Sequence, residues 1–325
     1  MKGIQVTRFG TAEVLEYGEL AEPVPASDQV LIEVRGASVN FADTKARSGG
    51  YHLGKKPPFC PGLDIAGVVL EAGDAVTGIA PGDHVIAFPA SGAYAEKAVA
   101  SRDLTFVIPK TLDFITAAAA ALVTGTVTHM LKYLARIEAG ESLLVHTAAG
   151  GVGTTALQVA GALGVSRLYG SIGSPWKADH VKKMGALGVV DYRSDTYAAD
   201  ILDLTDGRGV DVILNPLGGV TIQRDLSCLA AFGRLIVFGE LSGDASTIDK
   251  GSLYTANRTI IGSSFGHYRK NRPAAVRETM ATVIDLLANG DIEVFVHASL
   301  PLEKAAEAHR MLEARQALGK IVLVP

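Results

Sequence analysis

Ser142-Leu-Leu-Val-His-Thr-Ala-Ala-Gly-Gly-Val-Gly153, running on into Thr-Thr-Ala-Leu-Gln-Val-Ala160, decides the fold of this chain. The apolar start reads as a buried strand, the glycines as a tight turn, and the run after them as a helix N-terminus. Such a unit holds a dinucleotide pyrophosphate on backbone N–H groups and on the positive end of a helix dipole. Against the pattern G-x-G-x-x-G, Ala148 takes the first position, Gly150 the second and Gly153 the third, so the first glycine is missing. An ordinary strand-to-helix turn has a similar composition, and the surrounding sequence must decide between the two.

Outward from this stretch, strands alternate with helices from about residue 125 on. Strands are expected at 142–147, 167–172, 189–192, 210–215, 235–239 and 259–263, with helices near 152–163, 175–184, 197–205, 220–230 and a short piece at 253–257. Six strands complete a doubly wound parallel sheet of α/β class, and the glycines fall on its first strand-to-helix turn, where such folds bind dinucleotides. Before residue 110 the runs are short, as in Val30-Leu-Ile-Glu-Val34, Ala66-Gly-Val-Val-Leu-Glu71 and His84-Val-Ile-Ala-Phe88, and turn signals such as Pro81-Gly-Asp83 separate them. This is the pattern of a β-rich domain. After residue 265 comes His267-Tyr-Arg-Lys-Asn-Arg-Pro273, read as an exposed basic loop. Helices near 274–289 and 303–314 follow, with a closing strand at 321–324 that returns to the first domain.

A chain of 325 residues is long enough for two domains with separate cores. A formal net charge of -4 with 20% charged residues gives no electrostatic footprint for nucleic acid or an anionic membrane, and favours small neutral ligands. Cys60 and Cys228 form no C-x-x-C pair, which argues against a disulfide framework or a thiolate zinc cluster and suits a reducing cytoplasm. The N-terminus reads as a first strand rather than a secretory leader. The apolar run from Phe114 to Val123 is too short to span a bilayer and reads as a buried helix.

NAD sites commonly carry an acid about 20 residues past the glycines, where it accepts hydrogen bonds from the adenosine ribose. This chain has Gly170-Ser-Ile-Gly-Ser-Pro-Trp-Lys177 there, with no carboxylate. Ser171, Gly173, Ser174 and Lys177 suit the 2′-phosphate of NADPH, which an acid would repel. Ser174 is equally a helix N-cap before Pro175, with Lys177 a surface lysine. Tyr192 and Arg193, at the next strand end, flank the same place.

These residues carry a resemblance. Ser38-Val-Asn-Phe-Ala-Asp43 with Arg47 and Tyr51, Pro61-Gly-Leu-Asp-Ile-Ala-Gly67, Pro81-Gly-Asp83, His146-Thr-Ala-Ala-Gly-Gly-Val-Gly153, Asp191-Tyr-Arg193 and Gly319-Lys-Ile-Val-Leu323 span nearly the whole chain in one order. The chain resembles the zinc-free, zeta-crystallin-like quinone oxidoreductases of the medium-chain dehydrogenase/reductase superfamily. The resemblance implies a GroES-like β domain at 1–122 plus 266–325, with a Rossmann NADPH-binding domain inserted at 123–265. It implies a homodimer paired through the last Rossmann strand, 259–263, while the charge balance and the short apolar run leave no nucleic-acid or membrane partner expected. It also implies cofactor contacts from Asn40, Thr126, Ala149, Gly150, Gly151, Val152, Gly153, Asn215, Leu217, Phe238, Gly239 and Lys320.

The zinc-binding branch of that superfamily uses a Cys, a Gly-His-Glu motif and four clustered cysteines. Here the first position is Asn40 and the second reads Gly62-Leu-Asp64, neither a good zinc set. The chemistry then implied is hydride transfer to an acceptor that is already electrophilic, a quinone or an α,β-unsaturated carbonyl, with the protein positioning reactants and stabilising developing negative charge. Asn40, Tyr51 and Thr126 are the catalytic candidates. Asn40 either holds a carboxamide or substrate oxygen or serves as a turn residue. Tyr51 is either a proton donor, as at the same spacing in related enoyl thioester reductases, or a pocket wall. Where bacterial relatives carry pocket tyrosines, this chain has Lys45 and Thr128-His129; His129 is either a general acid or a core histidine. An enoyl thioester reductase, and a non-catalytic NADPH-binding structural or RNA-associated protein, are the rival readings.

Overall fold

The computed structural model describes residues 1–50, 56–89 and 92–325. One unit comprises Met1–Gly125, Gly266–Gly290 and Val294–Pro325; the other comprises Thr126–Phe265 with Asp291–Glu293.

The first unit opens with an antiparallel hairpin, β1 (Lys2–Val6) and β2 (Leu15–Glu19). The long strand β3 (Gln29–Val39) alternates half-buried and buried residues from Gln29 to Val34, as a strand with one face on a core must, and is buried throughout from Gly36 to Val39. It leads through Asn40 into α1 (Phe41–Ser48), where the Asp43 carboxylate accepts the Asn40 N–H at 2.9 Å and so satisfies a donor at the helix start. The strands β4 (Ile65–Ala72), β5 (His84–Ala87), β6 (Lys97–Ser101) and β7 (Thr105–Val107) follow, then α2 (Phe114–Thr128). The helix continues as wider π-type turns over His129–Ala135 and closes at Arg136 in a left-handed conformation. Phe114–Ala135 is long and apolar enough to cross a membrane, but 78% of its apolar window is buried inside the molecule, as in a core helix.

The second unit holds β8 (Ser142–Val145), α3 (Gly151–Ala162), β9 (Arg167–Ile172), α4 (Ala178–Lys183), β10 (Gly188–Asp191), α5 (Tyr197–Leu204), β11 (Val210–Asn215), α6 (Thr221–Cys228), β12 (Leu229–Val237), α7 (Gly251–Tyr254) and β13 (Thr259–Gly262). Its six strands are all parallel in the order β10-β9-β8-β11-β12-β13. This is the doubly wound order whose switch point lies between β8 and β11, beside the glycine turn. Strand β12 begins at Leu229, six residues before its expected start, and runs through Phe232 in a left-handed conformation.

The chain then returns to the first unit with α8 (Phe265–Asn271), α9 (Pro273–Ala288), β14 (Val296–Pro301), α10 (Ala305–Glu313) and β15 (Lys320–Val324). The expected basic loop is corrected here: most of it is α8, and Pro273 opens the next helix at a position that needs no N–H. Nor is Arg269 solvated; it donates to the Leu63 carbonyl at 3.1 Å and lies 5.1 Å from the centre of the Phe88 ring. Strand β15 pairs antiparallel with β3, Ile321 against Val39, which brings Lys320 to Asn40.

Candidate active site

The glycine turn sits between β8 and α3. Gly150 is the N-cap of α3, so the first-turn N–H groups of Gly151, Val152 and Gly153 lack partners within the helix. A Cβ on Gly150 would have one neighbour within 4 Å, the Thr147 carbonyl at 3.5 Å, so the protein leaves that space open. A Cβ on Gly153 would instead lie 2.5 Å from the Ala148 α-carbon and the Thr147 carbonyl, which makes Gly153 the close-packing glycine of the motif. Thr147, not position 148, adopts the left-handed backbone, at φ 53. Ala148 is therefore free of the conformation that would demand glycine, and its N–H bonds to the Ser171 carbonyl at 2.9 Å. An open cradle over an N-terminal turn fits a dinucleotide pyrophosphate.

After β9 the chain turns through Gly173 to a short 3-10 segment, Pro175–Lys177, with Ser174 as its N-cap residue. Lys177 is largely buried, its Nζ 5.0 Å from the centre of the Trp176 ring, so it is not a loose surface lysine. Any side chain at Gly173 would collide with the Tyr192 hydroxyl, which places that phenol at the same turn. Arg193 is committed to Asp191 at 2.7 Å. Ser171 is turned inward and fully buried, and its hydroxyl meets His146 Nδ1 at 2.5 Å, so the expected contact of that hydroxyl with a phosphate does not arise.

Asn215 ends β11. Its Oδ1 accepts the N–H groups of Leu217 and Gly218 at 2.6 and 2.9 Å, and its Nδ2 donates to Thr221 Oγ1 at 3.0 Å and to Asp225 Oδ2. The loop it shapes joins the end of β12: Phe238 N–H reaches the Asn215 carbonyl at 3.0 Å, and a Cβ on Gly239 would crowd the Pro216 carbonyl at 2.9 Å. Behind both loops Asp225 Oδ1 accepts from His146 Nε2 at 2.7 Å and from the Tyr197 hydroxyl at 2.8 Å. The second unit thus gathers Gly150 to Gly153, the turn ending at Lys177, Tyr192, Asn215 to Leu217, and Phe238 to Gly239 at the C-terminal edge of one sheet. Thr126, half-buried on α2, also belongs to this unit. His129 is buried, stacks on Tyr133 at 5.6 Å and faces Phe265 at 5.8 Å; burial holds its pKa below the usual histidine range.

In the first unit Asn40 is the hub of a buried polar cluster. Its Nδ2 donates to Asp64 Oδ1 at 2.7 Å and its Oδ1 accepts from Lys320 Nζ at 2.6 Å; Ser38 Oγ and the Leu122 N–H complete the Asp64 carboxylate. Asp43 takes the Tyr94 hydroxyl at 3.0 Å, and that hydroxyl lies 3.3 Å from His309 Nε2. Two acids and one lysine therefore share one apolar interior. Burial and the Asp64 charge push the Asp43 carboxyl up to about 7, burial also raises Asp64, and burial lowers Lys320 against the pull of both acids. Burial and the Arg47 charge push His309 down to about 3. Tyr51, the remaining candidate, lies outside the described residues.

Asn40 and Asp64 do not fit a zinc site: both polar atoms of the Asn40 side chain are hydrogen-bonded inside the protein, and the cation facing the carboxylates is Lys320. His146, Asp225, Tyr94 and His309 were not foreseen as parts of these clusters. A signal existed for two of them, since His146 follows directly on the apolar strand β8, and Asp225 stands between Ile222 and Leu226 on the buried face of α6.

A two-unit molecule with a dinucleotide cradle in a Rossmann sheet and a β-rich partner unit is of the class of nicotinamide-dependent dehydrogenases and reductases. Comparison narrows the class. Residues 26–110 match the alcohol dehydrogenase GroES-like domain, and residues 151–289 match the zinc-binding dehydrogenase family. A quinone oxidoreductase of Pseudomonas aeruginosa is 35% identical over 331 residues, covering 100% of this chain and 99% of the relative. An Escherichia coli quinone oxidoreductase solved with NADPH superposes with a TM-score of 0.92 at 32% identity, and a mycobacterial protein solved with NADPH does so with 0.92 at 34%; each comparison covers 100% of both chains. The chain belongs to the quinone oxidoreductase family of the medium-chain dehydrogenases/reductases.

Proposed function

We propose that this protein is an NADPH-dependent, zinc-independent oxidoreductase that reduces quinones or α,β-unsaturated carbonyls. The observation that carries the reading is the open cradle at Gly150 over the N-terminus of α3, set beside a turn that offers Lys177, Ser174 and Tyr192 in place of a carboxylate. The first-turn N–H groups from Gly151 to Gly153 hold the pyrophosphate, and Lys177 with Ser174 and the Tyr192 phenol holds the 2′-phosphate. Ala149, Leu217, Phe238 and Gly239 supply the walls on the Rossmann unit, with Thr126 a further contact of that unit; Asn40 and Lys320 are the contacts expected from the β-rich unit. NADPH, when bound, supplies the hydride.

The chain's own part is to position and to neutralise. Lys320, held by Asn40 and the Val39 carbonyl, keeps a cation beside Asn40 and fixes that amide's orientation. Asn40 therefore acts through its place in the cluster, and Tyr51 remains the candidate that is either a proton donor or a pocket wall. The acceptor needs no Lewis acid, because its carbonyl is already conjugated. Cytoplasmic residence and a homodimer paired through β13 belong to the same proposal. Neither cysteine forms a disulfide, and β13 is an edge strand with Ile260 and Ile261 only half covered.

The test is NADPH and NADH oxidation across a panel of quinones, enones, alkenals and enoyl thioesters. Quinone or enone turnover with NADPH preferred supports the reading, and turnover confined to enoyl thioesters overturns it. Tyr51→Phe separates the acceptors: enone reduction falls and quinone reduction persists. Sedimentation of Ile261→Lys checks the dimer, with monomers expected.

A further inference from the structure

We infer that the buried chain Ser171, His146, Asp225 and Asn215 is a positioning device that registers three cofactor loops against one another, and that its Ser171 end sets the preference for NADPH over NADH. The members sit at the ends of three strands. His146 follows β8 and precedes the glycine turn, Ser171 lies two residues before Gly173, and Asn215 closes β11; Asp225 on α6 joins them. All four are fully buried, so none is itself a ligand to the cofactor.

Asp225 accepts from Tyr197 and Asn215 and lies 2.7 Å from His146 Nε2; with the imidazole proton on Nε2, Nδ1 accepts the Ser171 proton. The remaining Asn215 proton goes to Thr221 Oγ1, whose own proton goes to the Gly218 carbonyl at 2.6 Å. Removing one hydroxyl leaves a buried acceptor unmet and loosens one loop end. Loss of Ser171 frees the 173–177 turn, whereas loss of the Thr221 hydroxyl frees the loop after β11. The two ends should therefore fail differently.

The inference rests on the reading of Lys177 as the 2′-phosphate site, so the experiment contains its own control. Trp176 is the one tryptophan of the sequence and stands inside the turn, so its fluorescence reports cofactor binding there without turnover. Dissociation constants for NADPH and NADH are measured for the full chain and for Lys177→Ala, Ser171→Ala, Ser171→Cys and Thr221→Val. Lys177→Ala is expected to lower the NADPH preference by about 10- to 100-fold, the worth of a charge-assisted hydrogen bond. Ser171→Ala should lower it by about 3- to 10-fold with NADH affinity little changed, and Ser171→Cys should fall between it and the unmodified chain. Thr221→Val should weaken both cofactors alike. A merely structural Ser171 would lower the melting temperature and leave the ratio alone. A shifted ratio in Lys177→Ala beside an unshifted one in both Ser171 variants overturns the positioning role. An unshifted ratio in Lys177→Ala overturns the phosphate site, and the inference falls with it.

Discussion

Two buried polar clusters, one in each unit, solve the same problem in opposite ways. In the Rossmann unit the cluster of Ser171, His146, Asp225, Tyr197, Asn215 and Thr221 is a continuous hydrogen-bonded chain, in which one carboxylate meets three partners, His146, Tyr197 and Asn215. In the β-rich unit the cluster of Asn40, Asp43, Asp64, Tyr94, His309 and Lys320 contains two acids and one lysine, and burial displaces the titrations of all three. A satisfied network rigidifies what it holds, whereas a network of competing charges stores a dependence on pH. The first arrangement suits loops that must stay in register for a cofactor.

The largest expected effect breaks the charged cluster. Lys320→Met leaves two buried carboxylates facing each other without a cation, and should cost about 3–5 kcal/mol of stability at alkaline pH. The loss should shrink in mild acid as Asp43 and Asp64 take up protons, which urea unfolding at two pH values measures. Next comes the cradle. Gly153→Ala drives a methyl group against the backbone of Thr147 and Ala148 and should destabilise by about 1–3 kcal/mol by thermal unfolding.

The third effect is the pH slope. His309 is neutral in the folded protein down to about 3, whereas the unfolded chain takes a proton near 6.5. The unmodified protein should therefore lose stability relative to His309→Gln as pH falls from 6.5 toward 3, with a slope approaching about 1.4 kcal/mol per pH unit. Asp43 works in the other direction. Its raised pKa gives stability that is fully present below its ordinary value of 3.8 and is lost as pH rises toward 7, so the two groups offset each other in mild acid until one is removed. The smallest effect on folding is Gly150→Ala, under about 1 kcal/mol because the backbone there suits any residue and the Cβ meets little protein. The same change should weaken NADPH binding about tenfold or more, since the methyl group fills the cradle. Gly150 and Gly153, three residues apart, would then separate binding from folding.

The sequence made the Rossmann unit legible because strands buried on both faces are continuous apolar runs. The expected spans of β9 and β11 match the structure at both ends, and β8, β10 and β13 differ by a residue or two. The start of β12 was hidden because Ala230-Ala-Phe-Gly-Arg234 looks like a break, and its left-handed Phe232 is a tertiary outcome. Helix α8 was hidden by its charge. The cradle residues were legible because they are local in sequence. Both polar clusters escaped because their pairs are not: Asn40 meets Lys320 across 280 positions and His146 meets Asp225 across 79. Only the fold brings such residues together, and the inward turn of Ser171 follows from one of those pairings.

The most direct test of the account is cofactor oxidation by purified protein, measured with a simple quinone before and after exhaustive chelation of metal. NADPH should be consumed mole for mole with quinone reduced to hydroquinone, NADH should be used far more slowly, and rates should be unchanged by chelation. Activity that vanishes with the chelator and returns with zinc, or a wide preference for NADH, would contradict it.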